Sequence, residues 1–96
     1  MATHIVLKGY IEIPIAELEI VTAALEVHKK LTRAEPGCLK FNIRPDRDIL
    51  GRYTVYEKFA SQDAFTAHQE RVKASEWGRI SANVERHYEI AEIEVD

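Results

Sequence analysis

The sequence predicts a single α+β domain, in which four strands and two main helices cover most of residues 1–96. Two patterns support this prediction: some segments alternate apolar and polar residues with the two-residue period of a strand, and others repeat apolar residues every three or four positions, as a helix does. The composition agrees, because 46% hydrophobic and 30% charged residues are typical of a globular protein. A chain of this length has no room for a second domain.

The first strand and the first helix meet at Pro14. Residues 5–13, IVLKGYIEI, alternate as a strand does, and Pro14 then stops strand pairing and suits a helix start. We expect the helix to cover residues 14–35 and to end before the helix-breaking pair Pro36 and Gly37. Its predicted buried stripe recurs at three- and four-residue steps and comprises Ile15, Leu18, Val21, Leu25, His28 and either Leu31 or Thr32.

Two further strands are predicted over residues 38–44 and 52–59, with a turn at residues 45–51 between them. In the first of these strands, Leu39 shares the apolar face with Phe41 and Ile43. In the second, Glu57 shares its face with Tyr53, Val55 and Phe59. A carboxylate therefore occurs where the alternation calls for a core residue.

A second helix and a last strand complete the chain. Ser61 is a suitable N-cap for the helix, and His68 lies on its inward stripe. A short irregular helix carrying Trp77 follows, and residues 86–95 form the last strand. The apolar alternation of this strand slips near Ala91, which predicts a β-bulge there.

The order strand, helix, strand, strand, helix, strand is typical of a ferredoxin-like fold with an antiparallel sheet. Both helices then cover one face of the sheet, whereas strands one, two and three carry apolar or aromatic residues on both faces. A second copy of the chain is the simplest cover for the other face, so we expect a homodimer.

Charge and cysteine content exclude several classes of protein. The net charge is −3 with acidic and basic residues mixed, which leaves no basic face for nucleic acid. No apolar segment is long enough to span a membrane, and the N-terminus does not resemble a signal peptide. Cys38 is the single cysteine, so no intrachain disulfide is expected, and a cytoplasmic location is predicted.

Three stretches resemble the antibiotic biosynthesis monooxygenase family: LTRAEPGCLKFNI at residues 31–43, YTVYEKFASQDAFTAH at residues 53–68, and, more weakly, RHYEI at residues 86–90. The resemblance covers nearly the whole chain and implies subunits that pair into a dimeric α+β barrel. It also implies oxidation of quinols or other electron-rich aromatics by O₂ without flavin, haem prosthetic group or metal. Relatives with other substrates share the fold, so the resemblance indicates the fold more firmly than the substrate.

Glu57 and His68 are the candidate catalytic residues. An inward-facing imidazole that titrates near neutrality can act as a base, and a buried carboxylate needs a partner, for which His68 is available. Such a contact is expected to orient the ring and to raise the pKa of His68. The alternatives are a core histidine bonded to a neighbour, and a structural salt bridge from Glu57 to Arg33 or Arg71.

The candidate substrate-binding residues surround this pair. His28 and Arg71 face the same space and could anchor a substrate oxygen, while aromatic side chains could form a wall around it. Asn42 belongs either to the pocket or to the subunit interface. The predicted set is Trp77, Phe41, Tyr53, Phe65, His28, Arg71 and Asn42. Four histidines on separate elements lack the spacing of a zinc site, so no metal is expected.

The leading hypothesis is a cofactor-independent monooxygenase that uses O₂ to oxidise a quinol-like or polyphenolic small molecule. In it His68 accepts a proton, Glu57 orients His68, and the aromatic residues hold the substrate ring. One alternative is an isomerase acting on a small carbonyl compound, which uses the same acid/base pair without oxygen. Another is a non-catalytic dimer that binds an aromatic ligand or haem.

Overall fold

A computed structural model describes residues 2–95 as a two-layer α+β structure. One layer is a four-stranded antiparallel sheet with the strand order β2-β3-β1-β4, and the other consists of three helices. A 3₁₀ turn over Ile15–Glu17 precedes the first helix. The elements are β1 (Ala2–Glu12), α1 (Leu18–Arg33), β2 (Cys38–Pro45), β3 (Arg52–Phe59), α2 (Gln62–Lys73), α3 (Glu76–Ile80) and β4 (Glu85–Val95). The predicted fold class and element order are confirmed.

Helix α1 buries a narrow stripe against the sheet. Val21, Leu25, His28 and Thr32 are its buried residues, at steps of three and four, as an amphipathic helix requires. The sequence left open whether Leu31 or Thr32 belongs to this stripe. In the structure Thr32 is fully buried, and Leu31 is half exposed. Ile15 was expected in the stripe but is 57% exposed, because the 3₁₀ turn precedes the helix proper.

The sheet contains an irregularity in β2 and not in β4. Strand β4 pairs with β1 in one continuous register from Ala2↔Val95 to Glu12↔Glu85, so the β-bulge predicted near Ala91 is wrong. In β2 the register shifts between Cys38 and Lys40, and Leu39 is the extra residue. Leu39 is therefore half exposed instead of joining the buried apolar row.

The two layers leave part of the sheet uncovered. The helices pack on the face that carries Ile5, Leu7 and Ile11, and the molecule is 17 Å thick along its shortest axis, which fits one sheet and one helical layer. Edge strand β4 extends past the helices, and its residues from Glu85 to Glu94 are all exposed. Among the residues described, no helix is long and apolar enough to cross a membrane.

Candidate functional site

A small cavity of about 90 Å³ lies between the helices and the central strands. Polar and aromatic side chains predominate in its wall, in contrast to the aliphatic core beside it. The wall is formed by Leu7, His28, Glu57, His68, Gln69, Val72, Trp77, Arg86 and Tyr88. The cavity therefore brings together four of the residues singled out in the sequence: Glu57, His68, His28 and Trp77.

Strand alternation and helix periodicity place Glu57 and His68 in the same layer. Glu57 stands between Leu7 of β1 and Phe41 of β2 on the helix-covered face of the sheet. His68 follows Phe65 by three residues on the buried side of α2, whose first turn is capped by Ser61 accepting a hydrogen bond from the Ala64 N–H at 3.1 Å. Both Glu57 and His68 are buried, at 6% and 4% exposure.

The partner of His68 is Glu35, which the sequence did not single out. The Nδ1 atom of His68 is 3.2 Å from both carboxylate oxygens of Glu35. Glu57 is more distant, with its Oε1 3.8 Å from Nε2 of the same ring. Because a carboxylate accepts hydrogen bonds, Nδ1 carries the proton of the neutral ring, and Nε2 remains an unprotonated base on the Glu57 side.

Glu35 is itself held in place by Arg71 and by the turn that follows α1. Arg71 donates from Nε to Glu35 at 2.5 Å and from a terminal nitrogen to the Thr32 hydroxyl at 2.9 Å. At Gly37 any Cβ would collide with the Cβ of Ala64 on α2, so only glycine lets this turn lie so close to α2. The turn and α2 thus fix Glu35 beside His68.

Burial dominates the electrostatics of the pair. Burial, together with the smaller effect of the nearby Glu35, raises the pKa of Glu57 from 4.5 to about 8. Burial also lowers the pKa of His68, against the opposing effect of Glu35. The expectation that a Glu57 contact raises the pKa of His68 is therefore wrong: at neutral pH the pair is a protonated carboxyl group and a neutral imidazole.

The salt bridges proposed as alternatives for Glu57 are also absent from residues 2–95. Arg33 donates to the Phe41 carbonyl oxygen at 2.8 Å and 3.1 Å, and Arg71 pairs with Glu35. Glu57 is 6% exposed and therefore has no cationic side chain in contact within residues 2–95. This explains why its carboxyl group keeps its proton.

His28 and Trp77 form one side of the cavity. Their rings stack with centroids 4.9 Å apart and an interplanar angle of 10°. His28 is 4% exposed, and its Nδ1 has no hydrogen-bond partner within residues 2–95. Burial lowers the pKa of His28 to about 3, with the neighbouring His68 as the next cause, so this ring is also neutral at physiological pH.

The remaining predicted residues do not all reach the cavity. Phe41 lies behind it, with its ring centroid 6.0 Å from that of His68, and Phe65 packs into the core against Phe59. Tyr53 is on the same sheet face as Glu57 but four residues, or about 13 Å, along β3. Asn42 pairs with Tyr56 on the opposite face. Tyr53, Phe65 and Asn42 therefore do not surround His68.

Five wall residues, Leu7, Gln69, Val72, Arg86 and Tyr88, and the support residue Glu35 were not among the predicted site residues. Arg86 and Tyr88 come from β4, where the irregular apolar pattern gave no means of assigning faces. Glu35 lies in the predicted helix over residues 14–35, whereas α1 ends at Arg33. Its spacing of three residues from Thr32 was the available signal that it points inward.

The site can hold and transfer protons around a small group. Glu57 offers an acidic proton and His68 an unprotonated nitrogen, 3.8 Å apart in the wall of a space with the volume of about three water molecules. Within residues 2–95 no cluster of three or more histidine, cysteine, aspartate and glutamate side chains could hold a metal ion.

Comparison with protein families identifies the same family that the sequence motifs resemble. The model of the family described as antibiotic biosynthesis monooxygenase matches residues 5–79. A comparison with curated proteins gives no significant match.

Solved structures share the fold at low sequence identity. A protein from Nitrosomonas europaea, provisionally named after the same family, is 18% identical with a TM-score of 0.77, over 96% of this chain and 88% of that one. Another so named, from Bacteroides thetaiotaomicron, is 19% identical with a TM-score of 0.78, over 98% and 90%. MupZ from Pseudomonas fluorescens is 22% identical with a TM-score of 0.73, over 94% and 71%. At these identities the structures establish the fold alone.

Proposed function

The chain belongs to the antibiotic biosynthesis monooxygenase family, and from this premise we propose that it is a cofactor-independent monooxygenase that oxidises a quinol-like or phenolic small molecule with O₂. The observation that carries the proposal is the state of His68. Its Nδ1 is bonded to Glu35, which leaves Nε2 free to take a proton inside a cavity that excludes bulk water.

Removal of a phenolic proton is the step that such a site can perform. Ground-state O₂ reacts slowly with neutral phenols, whereas a phenolate readily gives up electrons. His68 takes the hydroxyl proton through Nε2, and Glu35 favours the imidazolium that results. Burial makes the phenolate more reactive, because the cavity solvates it less than bulk water does.

The overall reaction needs no external reductant. A phenol with an unsubstituted ortho carbon and one O₂ give an ortho-quinone and one water, and all four electrons that reduce O₂ come from the phenol. The phenolate carbon forms a bond to oxygen, and Glu57 protonates the resulting peroxide. Loss of the carbon-bound proton to the Glu57 carboxylate then breaks the O–O bond, and the released hydroxide takes the proton from His68 to become water.

The proposal also concerns assembly and location. We propose that two copies pair through the uncovered side of the sheet, as a dimeric α+β barrel in the cytoplasm. Support comes from β4, where Ile93 is 40% exposed on the face of the sheet opposite the helices. Covering apolar side chains of this kind is what favours subunit pairing.

Oxygen uptake with a panel of phenols and hydroquinones tests the proposal. The wild type should consume one O₂ for each quinone formed, and His68→Asn should lower kcat by roughly 10²-fold or more. Glu70→Gln is a matched control, because Glu70 is exposed on the same helix. Equal rates for wild type and His68→Asn, above the rate without protein, would exclude a catalytic role for His68.

A second candidate is favoured by the small size of the cavity. A volume of about 90 Å³ suits a small carbonyl compound, and an acid and a base that both line this cavity can move a proton between neighbouring carbons. Such an isomerase would exchange substrate hydrogen with deuterium from solvent under argon, whereas the oxygenase reaction stops without O₂. If neither reaction occurs, a non-catalytic dimer that binds an aromatic ligand is the remaining interpretation.

A further inference from the structure

A second hollow lies on the other side of the His28–Trp77 stack. It is a groove of about 300 Å³ between α1 and the α2–α3 segment, called here the apolar groove. Its lining includes Ile20, Ala23, Ala24, Val27, Leu31 and Ile80. His28 and Trp77 line both the groove and the catalytic cavity, so the stacked rings are the wall shared by the two spaces.

The sizes of the two spaces differ in a way that matters for the proposed reaction. The cavity of about 90 Å³ admits a hydroxyl group and its attached carbons but not a whole quinol-like molecule. The groove of about 300 Å³ is at the lower end of the range for small-molecule sites. A phenolic substrate whose oxygen reaches His68 therefore needs further space, and the groove is the space next to it.

Charge in the groove favours an uncharged occupant. The two ionic side chains in its lining are Arg71 and Glu76. Arg71 is paired with Glu35, and Glu76 is paired with Arg79, so both charges are already compensated within the chain. The rest of the lining is largely aliphatic, which complements an alkyl or aromatic group without charge.

The wall shared by the two spaces lacks a hydrogen bond at one buried atom, Nδ1 of His28. His28 is 4% exposed, yet its Nδ1 has no hydrogen-bond partner within residues 2–95. A buried polar atom without a partner is uncommon and suggests a group supplied from outside the chain. Displacing the ring would break no hydrogen bond at Nδ1, and a substrate oxygen could supply the missing one.

We propose that the apolar groove binds the hydrophobic body of an uncharged alkyl- or aryl-substituted phenol, and that the His28–Trp77 pair is a movable partition through which its hydroxyl end reaches His68. This proposal rests on the proposed function, because that function makes the phenolic hydroxyl the reacting group. The binding of the hydrophobic body can nevertheless be tested without any reaction. It adds a substrate class, namely neutral phenols with an extended apolar substituent.

The test is a titration with phenol, 4-propylphenol and 4-pentylphenol under argon, followed by the fluorescence of Trp77, the only tryptophan. Affinity should rise about threefold to fourfold for each added CH₂, the factor expected when a methylene leaves water for an apolar site. Affinity that does not depend on the length of the alkyl chain would overturn the proposal.

The same substitution at two alanines, one inside the groove and one outside it, tests whether alkylphenols bind in the groove. Ala23→Phe fills the groove and should weaken 4-pentylphenol binding at least tenfold while changing phenol binding less than twofold. Ala67→Phe places the same ring on an exposed position of α2 outside the groove and should behave as wild type. Equal losses in both variants would overturn the proposal.

A milder substitution guards against misfolding. Val27→Thr keeps the shape of a side chain that is 57% exposed but puts a hydroxyl in the groove, so it should weaken 4-pentylphenol several-fold without changing the melting temperature. If Val27→Thr or Ala23→Phe alters the oligomeric state while alkylphenol affinity is unchanged, the groove is a subunit contact and the proposal fails.

The same measurement separates this proposal from the proposed oxygenase activity. His68→Asn should abolish oxygen uptake and keep the dependence of affinity on alkyl length. Retained dependence without oxidation in the wild type would contradict the proposed reaction alone. Oxidation of phenols with no dependence on alkyl length would contradict the groove alone.

Discussion

Glu57 is the residue whose environment differs most from that of an ordinary glutamate. It is 6% exposed and has no cationic side chain in contact within residues 2–95, and burial raises its pKa to about 8. In the unfolded chain it ionises near 4.5, so between these two values the folded protein holds a proton that the unfolded protein releases. Stability contributed by this proton is complete below 4.5 and is lost as pH rises to about 8.

Glu57→Gln is therefore expected to stabilise the protein at alkaline pH. The amide keeps the shape and polarity of the protonated carboxyl group but cannot ionise, and the difference between 4.5 and about 8 is worth on the order of 5 kcal/mol. Urea unfolding from pH 6.5 to pH 9 should show a falling free energy of unfolding for the wild type and a nearly constant one for the variant. The exposed control Glu70→Gln should follow the wild type, and parallel curves for all three proteins would contradict the assignment.

Glu35 is the residue that positions His68, and this role belongs to the proposed function. A carboxylate at this position enforces the proton on Nδ1, whereas the amide of Glu35→Gln can donate as well as accept. We expect Glu35→Gln to lower kcat roughly 10²-fold with little change in KM, and Glu70→Gln to leave both unchanged. A rise in KM with kcat unchanged would instead assign Glu35 to substrate binding.

At the scale of elements, the sequence patterns predicted the strands and helices well because each core face follows a simple period. His68 and Glu57 were found because a polar residue stood out against such a period. Glu35 and Leu39 were not assigned correctly, since Glu35 lies at the end of the predicted helix, two residues past the end of α1, and Leu39 occupies a bulge that no local pattern marks. Their positions depend on contacts between elements that are distant in sequence.

The contact between the Gly37 turn and α2 gives a prediction at this scale. Gly37→Ala should cost about 1 to 3 kcal/mol, because the added methyl group meets the Ala64 side chain. The double variant Gly37→Ala/Ala64→Gly removes the obstacle and should cost less than the sum of the two single variants. Thermal or urea unfolding of all four proteins measures this coupling, and strictly additive costs would contradict the proposed contact.

At the scale of the whole molecule, the face of the sheet that the helices leave open is where we expect the two subunits of the proposed dimer to meet. The radius of gyration is 13.5 Å, above the roughly 12.5 Å typical of a compact domain of this length, and the molecule is elongated, at 45 Å by 28 Å by 17 Å. A subunit interface over this region would cover side chains that the isolated chain leaves in water.

Sedimentation equilibrium should show a dimer for the wild type and a substantial monomer fraction for Ile93→Glu. Ile93 lies on the face of the sheet that the helices leave open, where a buried charge would oppose pairing. Leu50→Glu is the control, because Leu50 is 73% exposed in the loop between β2 and β3. A monomeric wild type, or equal dissociation of both variants, would contradict the proposed sheet-to-sheet dimer.

The protonation state of His68 is the central physical claim, and ¹H–¹⁵N NMR correlation of its ring measures it directly. We expect a neutral ring at pH 7 with the proton on Nδ1 and a bare Nε2, remaining neutral as pH falls below 6.5 because burial lowers the pKa of His68. Glu35→Gln should disturb this tautomer, whereas Glu70→Gln should not. A ring that carries its proton on Nε2, or that is already charged at pH 7, would contradict the role of His68 as a base in this cavity.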